Sequence, residues 1–194
     1  MIEDYYQIRY KAYHDKTFFV GPESFLAPLA ARLKPGATVL DVGCGSGRDL
    51  LWLKNRGFEV TGFERSVPLA RLAKETTGGK IVVADFETYD FSRFSMDAIL
   101  MVGALVHLPG NRVPAVLNAI ANALKANGKM LLTLKKGAGL ATDPHGRVFT
   151  LWRDNDLRKM FKRLQLDVVD FFQQSSKTGS GEIWLGYVLE RAGR

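Results

Sequence analysis

Residues 39–49 read Val-Leu-Asp-Val-Gly-Cys-Gly-Ser-Gly-Arg-Asp: an apolar strand, an acidic residue, then three glycines at alternate positions opening a helix. Backbone that a ligand must approach closely favours glycine, because a Cβ would collide with it. A strand feeding a glycine turn and then a helix puts amide N–H groups and the positive helix end at the edge of a sheet. That arrangement suits a nucleotide-like or amino-acid-like ligand, so the chain is read first as a binder of such a molecule.

Strand-like and helical runs alternate around this motif. Strands are predicted over 38–43, 58–64, 80–86, 96–103 and 129–136, with helices over 48–56, 68–76 and 112–126. Pro68 near a helix start, and Gly57 and Gly128 after helix ends, support these limits. The alternation argues for a parallel sheet with helices on both faces. Leading helices are expected over 3–14 and 23–33, separated by Gly21-Pro22. Toward the C-terminus, 153–164 is amphipathic, with Leu157, Met160, Phe161 and Leu164 on one stripe. Strands over 167–174 and 182–190 follow, and the connection between them is too short for a crossover helix, so they should pair antiparallel.

The length, 194 residues, suits one domain with a sizeable core. Cys44 is the only cysteine, which excludes an intrachain disulfide and fits a reducing cytoplasm; in the glycine turn it reads as a packing residue. No signal peptide and no run long enough to cross a bilayer is visible, and no metal site is read. The net charge of +7 concentrates in residues 125–163, with ten Lys/Arg against three Asp/Glu. On charge alone the solvated face of one basic helix is the leading reading; attraction of an anionic substrate or polyanion is the functional alternative.

A Gly-x-Gly-x-x-Gly dinucleotide fingerprint would need glycine where this chain has Arg48, and no lysine follows the last glycine as a phosphate loop requires. With Asp41 ahead of Gly43-x-Gly45-x-Gly47, the segment resembles the first motif of the class I S-adenosylmethionine-dependent methyltransferases. The later landmarks resemble that family too: Val60-Thr61-Gly62-Phe63-Glu64, Val83-Ala84-Asp85-Phe86, Met96-Asp97-Ala98-Ile99-Leu100 running on to His107, and Gly128-Lys129-Met130-Leu131-Leu132. The resemblance implies an α/β, Rossmann-like doubly wound sheet of seven strands, mostly parallel, with a C-terminal antiparallel hairpin at the edge. It implies one domain over 1–194: a helical cap (1–34), a cofactor-binding core (35–136) and a substrate-side loop, helix and hairpin (137–194).

By the same resemblance the cofactor is S-adenosyl-L-methionine, released as S-adenosyl-L-homocysteine. Glu64 would accept from the ribose hydroxyls, Asp85 from the adenine amino group, and the Phe86 backbone would address a ring nitrogen. Asp41, Gly43, Gly45 and Gly47 would lie along the amino-acid end, and Val102 would also contact the cofactor. Tyr13 and Thr17 resemble a Tyr-x-x-x-Thr element placed over the methionine end, where aromatic faces and oxygens suit a sulfonium. Asp49, in the first turn of its helix, is read as structural.

His107 is the candidate general base, needed only if the acceptor must lose a proton; its competing role is to cap or pack beneath the pocket. Lys136, His145 and Arg147 follow the fifth strand and could meet an anionic substrate, although Arg147 could equally tie its loop to backbone carbonyls. Phe149 and Trp152 are read as packing that loop onto the core. The Asn/Asp-Pro-Pro-Tyr/Phe signature of nucleobase and glutamine methylases is replaced by Val102-Gly103-Ala104-Leu105. A small-molecule acceptor and no membrane partner are therefore expected, and nothing here fixes an oligomeric state. RNA or protein methylation, a non-catalytic cofactor-binding protein and, more distantly, a nucleotide-dependent oxidoreductase are the rival readings.

Overall fold

A computed structural model of the chain describes residues 2–179 and 181–191. Ser180, in the predicted connection between the last two strands, lies outside the described residues. Helices α1 (Ile2–Ile8), α2 (Tyr10–Thr17) and α3 (Glu23–Ala30) precede the sheet. The single leading helix expected over 3–14 is broken at Arg9, whose φ of −99° and ψ of 20° depart from helical values, and α2 continues to Thr17. There follow β1 (Thr38–Val42), α4 (Arg48–Lys54), β2 (Glu59–Glu64), α5 (Val67–Thr77), β3 (Lys80–Val83), β4 (Met96–Val102), α6 (Val113–Ala121) and β5 (Leu124–Lys135). The chain ends in β6 (Gly139–Thr142), β7 (Val148–Leu151), α7 (Asp154–Arg163), β8 (Leu166–Ser175) and β9 (Ile183–Arg191).

Local chemistry sets several of these limits. At α5 the Ser66 hydroxyl accepts from the Leu69 N–H, proline sits in the first turn, and Gly78 closes the helix at φ 60°. Asp154 and Asp156 open α7 while Lys162 and Arg163 close it, matching the helix dipole at both ends. The helix expected to reach residue 126 stops at Ala121. Residues 124–128 belong to β5 instead, where Met96 pairs with Leu124 but Ala98 with Lys129. The intervening residues bulge out, with Asn127 at φ 61°.

Seven strands form one sheet in the order β3-β2-β1-β4-β5-β9-β8, and β6 and β7 make a separate antiparallel pair. Neighbours from β3 through β5 are parallel. Strand β9 is antiparallel to both β5 and β8, so the C-terminal hairpin is present but its last strand is interior rather than at the edge. Burial explains the order. Leu185, Tyr187, Val188 and Leu189 of β9 are fully buried, whereas β8 alternates between cover and solvent as an edge strand does.

The central strands bury both faces. Val39, Ala98, Leu100 and Leu131 pack under Leu26 and Leu29 of α3 and Leu53 of α4. Leu40, Ile99, Met101, Met130, Leu132 and Leu134 meet α6 and α7 through Leu117, Ile120, Leu157 and Phe161. This alternation fixes the direction of every side chain at the strands' carboxyl ends.

Candidate functional site

Along the carboxyl ends of β1, β4 and β5 opens a cavity of about 530 Å³, a size suited to a small-molecule ligand. Its floor is the glycine turn after β1. Gly43, Gly45 and Gly47 all have positive φ, but what each glycine avoids differs. A Cβ on Gly43 would come 2.7 Å from the Cβ of Ala104, and one on Gly47 would come 3.0 Å from the Ala73 Cα in α5. These two glycines serve close backbone packing. At Gly45 the nearest atom is Cε1 of Tyr13, at 3.6 Å, so the turn passes directly beneath that ring.

Acidic side chains brace the turn from below. Glu64, at the end of β2, accepts the Gly45 N–H at 2.9 Å and the Ser66 N–H at 2.8 Å. Burial nevertheless raises its carboxyl above the ordinary range, against the pull of these donors. Asp41 is 2% exposed and its Oδ2 has no hydrogen-bond partner. Burial, with Asp49 nearby, raises its carboxyl well above the usual range. Asp41 lies beneath the turn without itself bordering the cavity, and its unpartnered oxygen is an acceptor that a hydrogen-donating group would satisfy. Asp49 itself is 6% exposed, borders the cavity and accepts from Arg48 Nε at 2.6 Å, and Arg48 also reaches the Thr17 carbonyl.

Of the remaining predicted cofactor residues, Val102, Tyr13 and Thr17 border the cavity, whereas Asp85 and Phe86 are not part of its lining. Asp85 follows β3, which ends at Val83, earlier than expected; its Oδ1 accepts the Glu87 N–H and its Oδ2 meets Arg65 at 3.3 Å. Phe86 packs partly against the main core. The Thr17 hydroxyl donates to the Tyr13 carbonyl within α2. Cys44 is buried, and burial pushes its thiol well up, which keeps it protonated and inert, in keeping with a packing residue.

His107 sits in a 3₁₀ turn after β4, with both ring nitrogens engaged. Nδ1 lies 2.6 Å from the Val148 carbonyl, which can only accept, so Nδ1 carries the proton and Nε2 accepts the Tyr6 hydroxyl at 2.9 Å. Burial lowers the imidazole's pKa, and the charges of Arg147 and Lys135 lower it further, outweighing the Val148 bond. Tyr6 borders the cavity and His107 stands behind it.

Of the predicted substrate residues, His145 and Arg147 border the cavity, on the turn of the β6–β7 hairpin and at its far end. The loop expected after β5 is thus largely a hairpin. Arg147 pairs with Asp143 at 2.6 Å, lies 4.2 Å over the Tyr5 ring and reaches the Tyr6 hydroxyl at 3.3 Å. It ties its loop down, but through a carboxylate and tyrosines rather than backbone carbonyls. Lys136 is a correction. Its side chain turns away from the cavity to Gln173 Oε1, and Lys135 faces the cavity in its place. Lys135 shares a strand face with Leu131 and Thr133, so one step along the chain moves a side chain to the opposite face of the sheet, away from the cavity. Phe149 is both core and cavity wall, while Trp152 packs on Gly110 outside it. Tyr5, Tyr6, Lys135 and Trp184 are the site residues that motif matching misses; strand parity alone could have found Lys135.

The profile of a family described as a methyltransferase domain matches residues 14–171, and the chain belongs to that family. It is 36% identical over 103 residues to an uncharacterised protein of Methanocaldococcus jannaschii, covering 53% of this chain and 38% of that one. It is 31% identical over 107 residues to a phosphoethanolamine N-methyltransferase of Triticum aestivum, covering 52% and 21%. The chain therefore spans well under half the length of these curated relatives. Among solved structures, the magnesium protoporphyrin IX methyltransferase of Synechocystis, holding S-adenosylhomocysteine, superposes with a TM-score of 0.77 over 98% of each chain at 15% identity, a likeness of fold. Among the described residues no helix is long and apolar enough to cross a membrane.

Proposed function

We propose that the chain transfers a methyl group from S-adenosyl-L-methionine to a small, anionic metabolite by in-line displacement. The observation that carries this reading is one cavity whose lining joins the glycine turn under Tyr13 to a basic, aromatic wall that includes Arg147, Lys135 and Trp184. Relatives whose names specify phosphoethanolamine and magnesium protoporphyrin as substrates support a small-molecule acceptor.

The residues present suit the cofactor. The unpartnered Oδ2 of Asp41 can take the amino group of its amino-acid end, beside the backbone of Gly43, Gly45 and Gly47. Glu64 retains acceptor capacity for ribose hydroxyls beyond the two N–H groups it already holds. Asp85 and the Phe86 backbone address the adenine, Val102 flanks the pocket, and Tyr13 and Thr17 cover the sulfonium end. When bound, the cofactor supplies a methyl group already activated by positive sulfur.

What the chain adds is placement. Holding acceptor and donor in line is worth about 7–11 kcal/mol in favourable cases. Where the acceptor must shed a proton, Tyr6 receives it while passing its own to Nε2 of His107, so His107 acts through the phenol. Residues 1–34 serve as a cap, 35–136 as the cofactor core and 137–194 as the acceptor side of a single domain.

Calorimetric titration with S-adenosylhomocysteine, followed by labelled methyl transfer into metabolite extracts with an RNA control, tests this reading. Micromolar binding and labelling of a small acid are expected. Absence of binding, or label entering RNA alone, would overturn it.

A further inference from the structure

Lys135 is 6% exposed, an unusual depth for a lysine. Its Nζ lies 3.4 Å from the centroid of the Phe149 ring and 5.6 Å from that of Trp184, and it is ion-paired with Glu182. The two partners are not equally placed: the Lys135 side chain is 7% exposed and that of Glu182 36%, so the cation is inside and the acid at the rim. Desolvating such a pair costs free energy that an apolar residue at the same position would spare.

The wall around Lys135 runs continuously to the glycine turn. A Cβ on Gly103 would lie 3.3 Å from the Trp184 ring, the Gly103 N–H is held by the Thr133 hydroxyl at 2.9 Å, and the next residue, Ala104, abuts Gly43. A flat ring resting on Trp184 would thereby sit near the glycine turn. Aromatic faces favour stacked or edge-on rings, and a buried ammonium opening on the same space favours an anion and repels an amine.

We propose that the methyl acceptor is a planar aromatic carboxylic acid, its carboxylate taken by Lys135 in exchange for Glu182 and its ring held against Trp184. The assignment rests on the methyltransferase reading and gives it a substrate class. No covalent step beyond methyl transfer is involved.

The test uses the full chain saturated with S-adenosylhomocysteine and titrated calorimetrically with 4-hydroxybenzoate, indole-3-carboxylate, their primary amides and tryptamine. At least one acid should bind ten-fold or more tighter than its amide, with tryptamine weakest. Lys135→Met should abolish the preference for acid over amide while leaving amide affinity within two-fold. Glu182→Gln, at the rim, removes the competing carboxylate and should tighten acid binding several-fold; it keeps the proposal testable if the buried Lys135 variant fails to fold. Equal affinity for acid and amide, tighter binding of tryptamine, or weaker acid binding by Glu182→Gln overturns the proposal. If S-adenosylhomocysteine binds and neither acid does, this inference alone falls. If S-adenosylhomocysteine itself does not bind, the reading beneath it falls.

Discussion

The Tyr6 hydroxyl donates to Nε2 of His107 across 2.9 Å, although 101 residues separate the two in the chain. The bond fastens α1 to the end of β4, and the Val148 carbonyl on the other ring nitrogen extends the link to β7. Arg147 adds a further tie at the Tyr6 hydroxyl. The helical cap and the β6–β7 hairpin are thus joined through one imidazole.

That imidazole should make stability depend on pH in a definite direction. Burial, the largest influence, depresses the His107 pKa below its ordinary 6.5. The unfolded chain therefore binds the proton more readily, so the contribution is complete above about 6.5 and is lost as pH falls through the folded value. Thermal unfolding of the wild type should lose more between pH 7.5 and 5.5 than that of His107→Gln, and equal losses would remove the buried neutral imidazole from the account. Tyr6→Phe deletes both hydrogen bonds at the hydroxyl, to His107 and from Arg147, and should cost about 1–3 kcal/mol, lowering Tm by roughly 2–4 °C per kcal/mol in a chain of this size.

Glu64 joins stability to binding. Its two oxygens hold the Gly45 and Ser66 N–H groups, so it shapes the turn before any ligand enters. Glu64→Ala should weaken S-adenosylhomocysteine binding at least ten-fold and also lower stability by about 1–3 kcal/mol, the cost of leaving buried donors unpaired. Glu64→Gln keeps one acceptor oxygen and should recover part of both. Calorimetry and chemical denaturation on the same preparations separate the effects. Unchanged affinity in Glu64→Ala would remove this residue from the cofactor site.

The frame of the fold was legible because its signals are periodic: apolar runs ending at Asp41, Glu64 and Asp85, separated by amphipathic stretches, specify alternating strands and helices. The misses have physical reasons. Residues 124–128 carry no signal distinguishing a continued helix from a bulged strand, since only pairing with Met96 decides it. Strands β6 and β7, four residues each, are too short for a period to show. Lys135 and Lys136 are adjacent and chemically alike, so choosing between them needs the strand's phase, set by Leu131 and Leu132 packing on opposite faces. Tyr6 could not be found by motif at all, because its role rests on a partner a hundred positions away.

Gly47 and Gly57 allow backbone strain to be separated from crowding. Both are left-handed, at φ 88° and 82°, so alanine at either meets the same conformational penalty, about 1–2 kcal/mol. They differ in surroundings: no atom lies within 4 Å of a Cβ built on Gly57, whereas one on Gly47 would come 3.0 Å from the Ala73 Cα and 3.2 Å from its Cβ. Gly57→Ala should therefore show the strain alone. Gly47→Ala must also push α4 away from α5, at a further cost of about 1–3 kcal/mol, and in tilting the turn should weaken S-adenosylhomocysteine binding. Urea unfolding of the two variants measures the difference. Equal destabilisation would mean that the turn relaxes freely, and that close approach to α5 is not what demands glycine at Gly47.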